Sequence, residues 1–134
     1  MCGIIGYRGS RRAAPILLGG LRRLEYRGYD SAGIAIRTDT LSVSKQTGKV
    51  QHLVDSLPEG IQGTLGIAHT RWATHGGVTE ANAHPHLGPE GKVAIVHNGI
   101  IENASAVRRG LESNGATFRS ETDSEVIEIG RAHV

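Results

Sequence analysis

Met1-Cys2-Gly3-Ile4-Ile5-Gly6-Tyr7 opens the chain, and residues 3–7 read as a short apolar strand that begins almost at the terminus. The position of Cys2 gives that strand its interest. If Met1 is removed, which the small following residue favours, the Cys2 thiol and a free α-amine share one carbon atom. A peptide α-amine titrates at about 8 and a thiol at about 8.5, so the amine can serve as general base for its own side chain. This is the logic of an N-terminal nucleophile. The plainer reading makes Cys2 a small buried hydrophobe on a terminal strand, and position alone favours it.

Working outward, Ile16, Leu17, Leu21 and Leu24 recur at helical spacing while Arg22 and Arg23 fall off that face, which predicts a helix over residues 11–26. Pro15 suits its first turn, so the helix is expected to start near Ala14. Residues 31–36 and 41–45 alternate and carry β-branched side chains, as a hairpin would. A short helix is expected over 49–57, closed by Pro58 and Gly60. Residues 64–70 and 92–97 read as the clearest buried strands, with a long polar stretch at 71–91 between them. Loops of that length in a compact domain usually carry function. Ala104–Ser113 reads as a helix stopped by Asn114-Gly115, and 117–119 as a strand. Thr122-Asp123-Ser124-Glu125 has the spacing of a capping box opening a last helix, with Val126, Ile127 and Ile129 behind it. That helix has run little beyond two turns at Val134, so residues 1–134 are expected to be the N-terminal part of a longer protein.

The 134 residues suffice for one domain with a core but not for two. With 38% hydrophobic and 21% charged residues the chain reads as globular and water-soluble, not disordered. No apolar run approaches the roughly 20 residues of a membrane helix, and the N-terminus lacks a secretory signal. Fifteen Lys+Arg against thirteen Asp+Glu leave a net charge of +2, which does not call for nucleic acid. One cysteine cannot form an internal disulfide, which points to a reducing compartment, the cytoplasm.

Three further groups carry chemistry. Asn98-Gly99 at the end of an apolar segment offers a side-chain amide beside a backbone N–H, the equipment of an oxyanion hole. Asn-Gly is equally the strongest signal for a hairpin turn. Arg71 can grip a carboxylate with two prongs, Thr74 and His75 add donors, and Gly76-Gly77 would let that loop move as a lid. Trp72 covers the site or anchors the loop in the core, the core role being the default. Asp123, at a helix start, can receive an ammonium or merely cap. His84-Pro85-His86 lacks the spacing of a metal site. A self-activating thiol, an oxyanion hole, an Arg and an Asp together fit a free amino acid attacked at its side-chain carbonyl, glutamine or asparagine.

In order along the chain, Cys2 to Gly6, Leu24-Glu25-Tyr26-Arg27-Gly28-Tyr29-Asp30-Ser31-Ala32-Gly33, His69 to Gly76, Asn82-Ala83-His84-Pro85-His86, His97 to Asn103 and Ser120 to Glu125 resemble one family. It is the glutaminase domain of the glutamine–fructose-6-phosphate aminotransferases, which are class II glutamine amidotransferases. The amidophosphoribosyltransferase type is the nearest rival and reads differently in the Glu-Tyr-Arg-Gly, Thr-Arg-Trp-Ala and Asn-Ala-His-Pro-His segments.

The resemblance implies an α+β N-terminal-nucleophile fold, two antiparallel sheets between helix layers, incomplete within this chain. It implies that Cys2 attacks L-glutamine to give a thioester and ammonia, and that water then releases glutamate. Asn98 and Gly99 match the oxyanion hole, Arg71, Thr74 and His75 the carboxylate site, and Asp123 the amino-group site. Trp72 and Gly76 lie in the loop that closes over glutamine, Arg27 beside the thiol, and His84 and His86 in a loop-supporting motif. No cofactor or metal is implied. The full-length family member uses the ammonia to convert fructose 6-phosphate to glucosamine 6-phosphate on sugar-isomerase domains absent from residues 1–134, and a homodimer is expected. The alternative is a catalytically silent glutamine-binding regulatory module.

Overall fold

The computed structural model describes residues 1–74 and 76–132. A strand β1 (Gly3–Arg8) leads into helix α1 (Ala13–Leu24) and a single 3-10 turn (Glu25–Arg27). A hairpin of β2 (Ser31–Arg37) and β3 (Leu41–Thr47) follows, then α2 (Val50–Ser56) and β4 (Leu65–Arg71). Beyond a long irregular segment come two short strands, β5 (His86–Leu87) and β6 (Ala94–Ile95), and the helices α3 (Ala104–Ser113) and α4 (Glu125–Ala132).

The larger sheet has the order β1-β4-β2-β3, antiparallel throughout. Its centre is β4 and β2, and the register sets Thr70 between Gly3 on one side and Ala32 on the other. Side chains alternate across a strand, so Ala32, Ile34 and Ile36 point one way, into a core closed by Leu17 and Leu21 of α1 and Val50 and Leu53 of α2. Ala13, Ala14, Leu17 and Leu21 fall three or four apart and supply the buried stripe of α1. Truncating Leu17 or Leu21 to Ala would cost about 2–5 kcal/mol.

On the opposite face of β2, Gly33 lies directly under the carbonyl of His84, closer than any Cβ could stand. The segment Asn82–His86 thus roofs the second face of the sheet, and every residue of β2 except Arg37 is buried. The pair β5–β6 follows that segment, and α4 packs on β5. The expected α+β layering is present, with the second sheet reduced to two residues per strand.

Several local expectations change. Residues 92–97 are half-buried apart from exposed Lys92, and only Ala94–Ile95 is strand, because its sole partner is the two-residue β5. Residues 117–119 are irregular; the Arg119 N–H goes to the Glu125 carboxylate rather than to a strand. α1 gives way at Leu24 to the 3-10 turn, which Gly28 ends at φ +77°. The capping box does not form. Thr122 Oγ1 instead meets His86 Nε2 at 2.8 Å, and the Glu125 carboxylate reaches back to the N–H groups of Arg119 and Ser120, both at 2.8 Å. No described helix is long and apolar enough to cross a membrane.

Candidate active site

A cavity of about 260 Å³ opens where β1, β4 and the turn before α4 converge. Cys2, Arg71, Trp72, Thr74, Asn98, Gly99 and Asp123 all line it, together with His69, His84, His97, Ile100, Thr122 and Ser124. Residues from five separate stretches of sequence meet there. The ladder does the gathering: with Gly3 opposite Thr70, the residue before β1 falls beside the end of β4.

Cys2 precedes β1 and is half-buried, so it is not the buried hydrophobe that position alone favoured. Its Sγ accepts a hydrogen bond from the Trp72 N–H at 3.1 Å and lies 3.6 Å from the Trp72 carbonyl. Trp72 itself is 54% exposed, which corrects its default role as a core anchor. Its backbone holds the thiol while its indole stands in solvent at the rim. The Met1 ammonium donates to the Gly28 carbonyl at 2.7 Å, and its sulfur lies against the Arg27 guanidinium.

Arg71, at the end of β4, is buried and donates to the Gly77 carbonyl at 3.1 Å. That same carbonyl accepts from Asn82 Nδ2 at 3.0 Å, and the Gly77 N–H reaches Glu121 at 3.3 Å. Gly76, at φ +78°, packs where a Cβ would lie 2.7 Å from Asn82 Nδ2. The Gly76-Gly77 pair thus packs against Asn82 and Glu121. His75 lies outside the described residues.

Asp123 is buried and accepts from the Ile101 N–H through Oδ2 at 2.7 Å. Asn98 follows β6, and the chain after Gly99 does not return as a strand, which rules out the hairpin-turn reading of Asn-Gly.

Beneath the cavity sits a histidine cluster that sequence reasoning treated only as a weak metal pattern or a loop support. The His69 and His84 rings stack at 4.3 Å, and His84 lies 4.5 Å from His86. His84 Nδ1 accepts from the His97 N–H at 3.3 Å, and His97 Nδ1 meets Ser124 Oγ at 3.0 Å. Burial pushes His69 down to about 4, His86 to about 3 and His84 to about 2, so all three are neutral at pH 7. Asp30 was also passed over; its Oδ2 accepts from the Ala73 N–H at 2.7 Å and pins the loop after Arg71. A polar His inside the apolar alternation of residues 64–70 was the one signal that could have flagged His69.

A family sequence model described as "Glutamine amidotransferase domain" matches residues 42–130. The glutamine–fructose-6-phosphate aminotransferase [isomerizing] of Thermus thermophilus is 57% identical over 129 residues, covering 95% of this chain and 21% of that protein. The protein of the same name from Idiomarina loihiensis is 58% identical over 130 residues, again covering 95% of this chain and 21% of that protein. The chain thus spans about a fifth of the length of these curated relatives. Among solved structures, glutamine phosphoribosylpyrophosphate amidotransferase from B. subtilis, complexed with ADP and GMP, superposes with a TM-score of 0.81 at 28% identity, covering 96% of this chain and 28% of its own. The structure of the allosteric regulatory enzyme of purine biosynthesis gives 0.82 at 30% identity, covering 99% of this chain and 29% of its own.

Proposed function

The chain belongs to the glutamine amidotransferase domain family, and on that footing we propose that it hydrolyses L-glutamine through Cys2 once Met1 has been removed. The observation that carries this reading is the common cavity of Cys2, Asn98, Gly99, Arg71 and Asp123. With Met1 attached, the Cys2 nitrogen is an amide and has no basicity. Its removal leaves an amine able to take the thiol proton.

Cys2 Sγ then bonds to the side-chain carbonyl carbon of glutamine, and the carbonyl oxygen takes up negative charge. Donors from the Asn98 side chain and the Gly99 backbone stabilise that charge. As the tetrahedral centre collapses, the C–N bond breaks and the proton held by the α-amine passes to the leaving nitrogen, giving ammonia and a glutamyl thioester. Water attacks the thioester, and the thiolate leaves to release glutamate. Arg71, aided by Thr74 and His75, receives the α-carboxylate, and Asp123 receives the α-ammonium. Arg71 and Asp123 line the same cavity, and a cation and an anion that meet the two charged groups on one α-carbon select a free zwitterionic amino acid over a peptide. Trp72 lines the opening, Gly76 belongs to the loop that follows it, Arg27 lies against Met1 beside Cys2, and His84 with His86 behind it supports the floor.

The relatives' names carry the reading one step further. We infer that these residues act as the N-terminal part of a longer aminotransferase, whose other domains bind fructose 6-phosphate and take the ammonia to form glucosamine 6-phosphate. A homodimer belongs to the same reading.

The test is intact mass after incubation with a diazo-ketone glutamine mimic, alongside glutamine turnover of the full-length enzyme. The expected result is loss of Met1 and one adduct on Cys2 that glutamine suppresses, with Cys2→Ala giving neither adduct nor glutamate. Glutamate release by Cys2→Ala would overturn the mechanism. Glutamine binding by the mature, unaltered enzyme without glutamate release would establish the silent-module alternative.

A further inference from the structure

We propose that His69 is a positioning residue that decides which end of the Asn98 side-chain amide faces the cavity, an inference that rests on the glutaminase reading above. An Asn amide is a donor at one end and an acceptor at the other. Only Nδ2 can stabilise a developing oxyanion; the flipped amide would aim Oδ1 at it and repel it. Something must therefore fix the flip of Asn98, which lies exposed beyond the end of β6.

Asn98 Oδ1 lies 2.6 Å from His69 Nε2. His69 sits in the central strand β4 and is wholly buried. Its other ring nitrogen, Nδ1, is buried without a hydrogen-bond partner among the described residues. Two arrangements satisfy the 2.6 Å contact. With the proton on Nε2, the ring donates to Oδ1 and leaves only an unused lone pair on Nδ1. With the proton on Nδ1, Asn98 must flip so that Nδ2 donates to Nε2, and a buried N–H is left orphaned. Orphaned buried donors are the rarer and costlier of the two defects. The Nε2–H tautomer therefore prevails, and it holds Oδ1 away from the reacting carbon with Nδ2 toward it.

His84 locks this choice. Its ring stacks on His69 at an interplanar angle of 22°, and its own Nδ1 is engaged by the His97 N–H, so neither ring can turn without breaking a contact. Both rings stay uncharged at neutral pH, so a single tautomer persists rather than a doubly protonated ring.

The test uses His69→Gln and His69→Asn in the full-length enzyme, each alone and with Asn98→Ala. Gln places an N–H close to the Nε2 position, whereas Asn is too short to reach. His69→Gln should keep kcat for glutamine hydrolysis within about 5-fold, and His69→Asn should lose about 100-fold, the scale of a lost oxyanion donor, with KM within about 3-fold. In the Asn98→Ala background His69→Asn should add no further loss, because there is no amide left to orient. Equal losses in the Gln and Asn variants, or a loss that multiplies that of Asn98→Ala, would overturn the proposal. Should His69→Asn fail to fold, a folded His69→Gln as slow as Asn98→Ala overturns it, and one within about 5-fold of the parent supports it. The 15N shifts of the His69 ring at pH 7 report the tautomer whatever the activity. A protonated Nδ1 would overturn the proposal, whereas an Nε2–H ring in an enzyme that never releases glutamate would count against the glutaminase reading alone.

Discussion

Asp123 shows how one side chain can hold the fold and line the cavity together. Its Oδ2 holds the Ile101 N–H, which fixes the segment leading into α3, while the carboxylate lines the cavity with lone pairs to spare. Asp123→Asn keeps an acceptor for Ile101 but removes the charge. A charge-assisted hydrogen bond contributes about 1.5–3 kcal/mol, so this change should raise KM for glutamine by roughly 10- to 100-fold and leave kcat comparatively intact. Steady-state kinetics of the full-length enzyme check it; an unchanged KM would remove Asp123 from the ammonium site. Cys2, Asn98, Arg71 and Asp123 could be picked out of the sequence because each is a residue type with a specific chemical use at a strand or helix end. Trp72 stood out as a side chain, but its hold on the thiol could not be foreseen, because that hold is a backbone N–H, which every residue but proline has. His69 stands in the sequence only as the first residue of the His69–Gly76 segment; its significance depends on Asn98, 29 residues away, and no local pattern encodes that pairing.

At the level of elements, the sequence pattern located α1, the β2–β3 hairpin, α2, β4 and α3 within a few residues; α1, β2 and α2 bury apolar residues against one another, while α3, which buries none, is marked by its Asn114-Gly115 stop. The pattern failed where the partner is short, as in 92–97, and where side chains take backbone donors, as Glu125 does at Arg119 and Ser120. Two glycines separate propensity from packing. Gly19 is exposed in the interior of α1 with nothing within 4 Å of an added Cβ, so Gly19→Ala should stabilise by about 0.5–1 kcal/mol. Gly33 faces the His84 carbonyl, so Gly33→Ala should destabilise by about 1–3 kcal/mol and displace the Asn82–His86 segment. Denaturation midpoints of the two variants should move in opposite directions. A Gly33→Ala protein with an unchanged midpoint would mean that the roof over β2 is not in contact with it.

For the whole molecule, the histidine cluster sets a response to acid. The buried rings of His69, His84 and His86 take protons only at about 4, 2 and 3, against an ordinary histidine value of about 6.5. Between those limits the unfolded chain binds protons that the folded one refuses. The stability these rings contribute is complete above about 6.5 and declines as pH falls toward about 4 and below, by up to about 1.4 kcal/mol per unit for each ring. The urea midpoint should therefore be lower at pH 5 than at pH 7, and His86→Gln should flatten that dependence. A midpoint indifferent to pH over this range would show that the rings are not held neutral by the fold.

The ladder that pairs β1 with β4 has a consequence for how such a sequence varies over generations. Side chains change face with every residue, so one residue gained or lost between Cys2 and Arg8 would slide the thiol off the Trp72 N–H and turn the strand inside out. The exposed tip at Thr38–Thr40 carries no such constraint. Inherited changes of length should accumulate at that tip and at the polar stretch before β4, while the first eight codons keep their number even as the residues they specify drift.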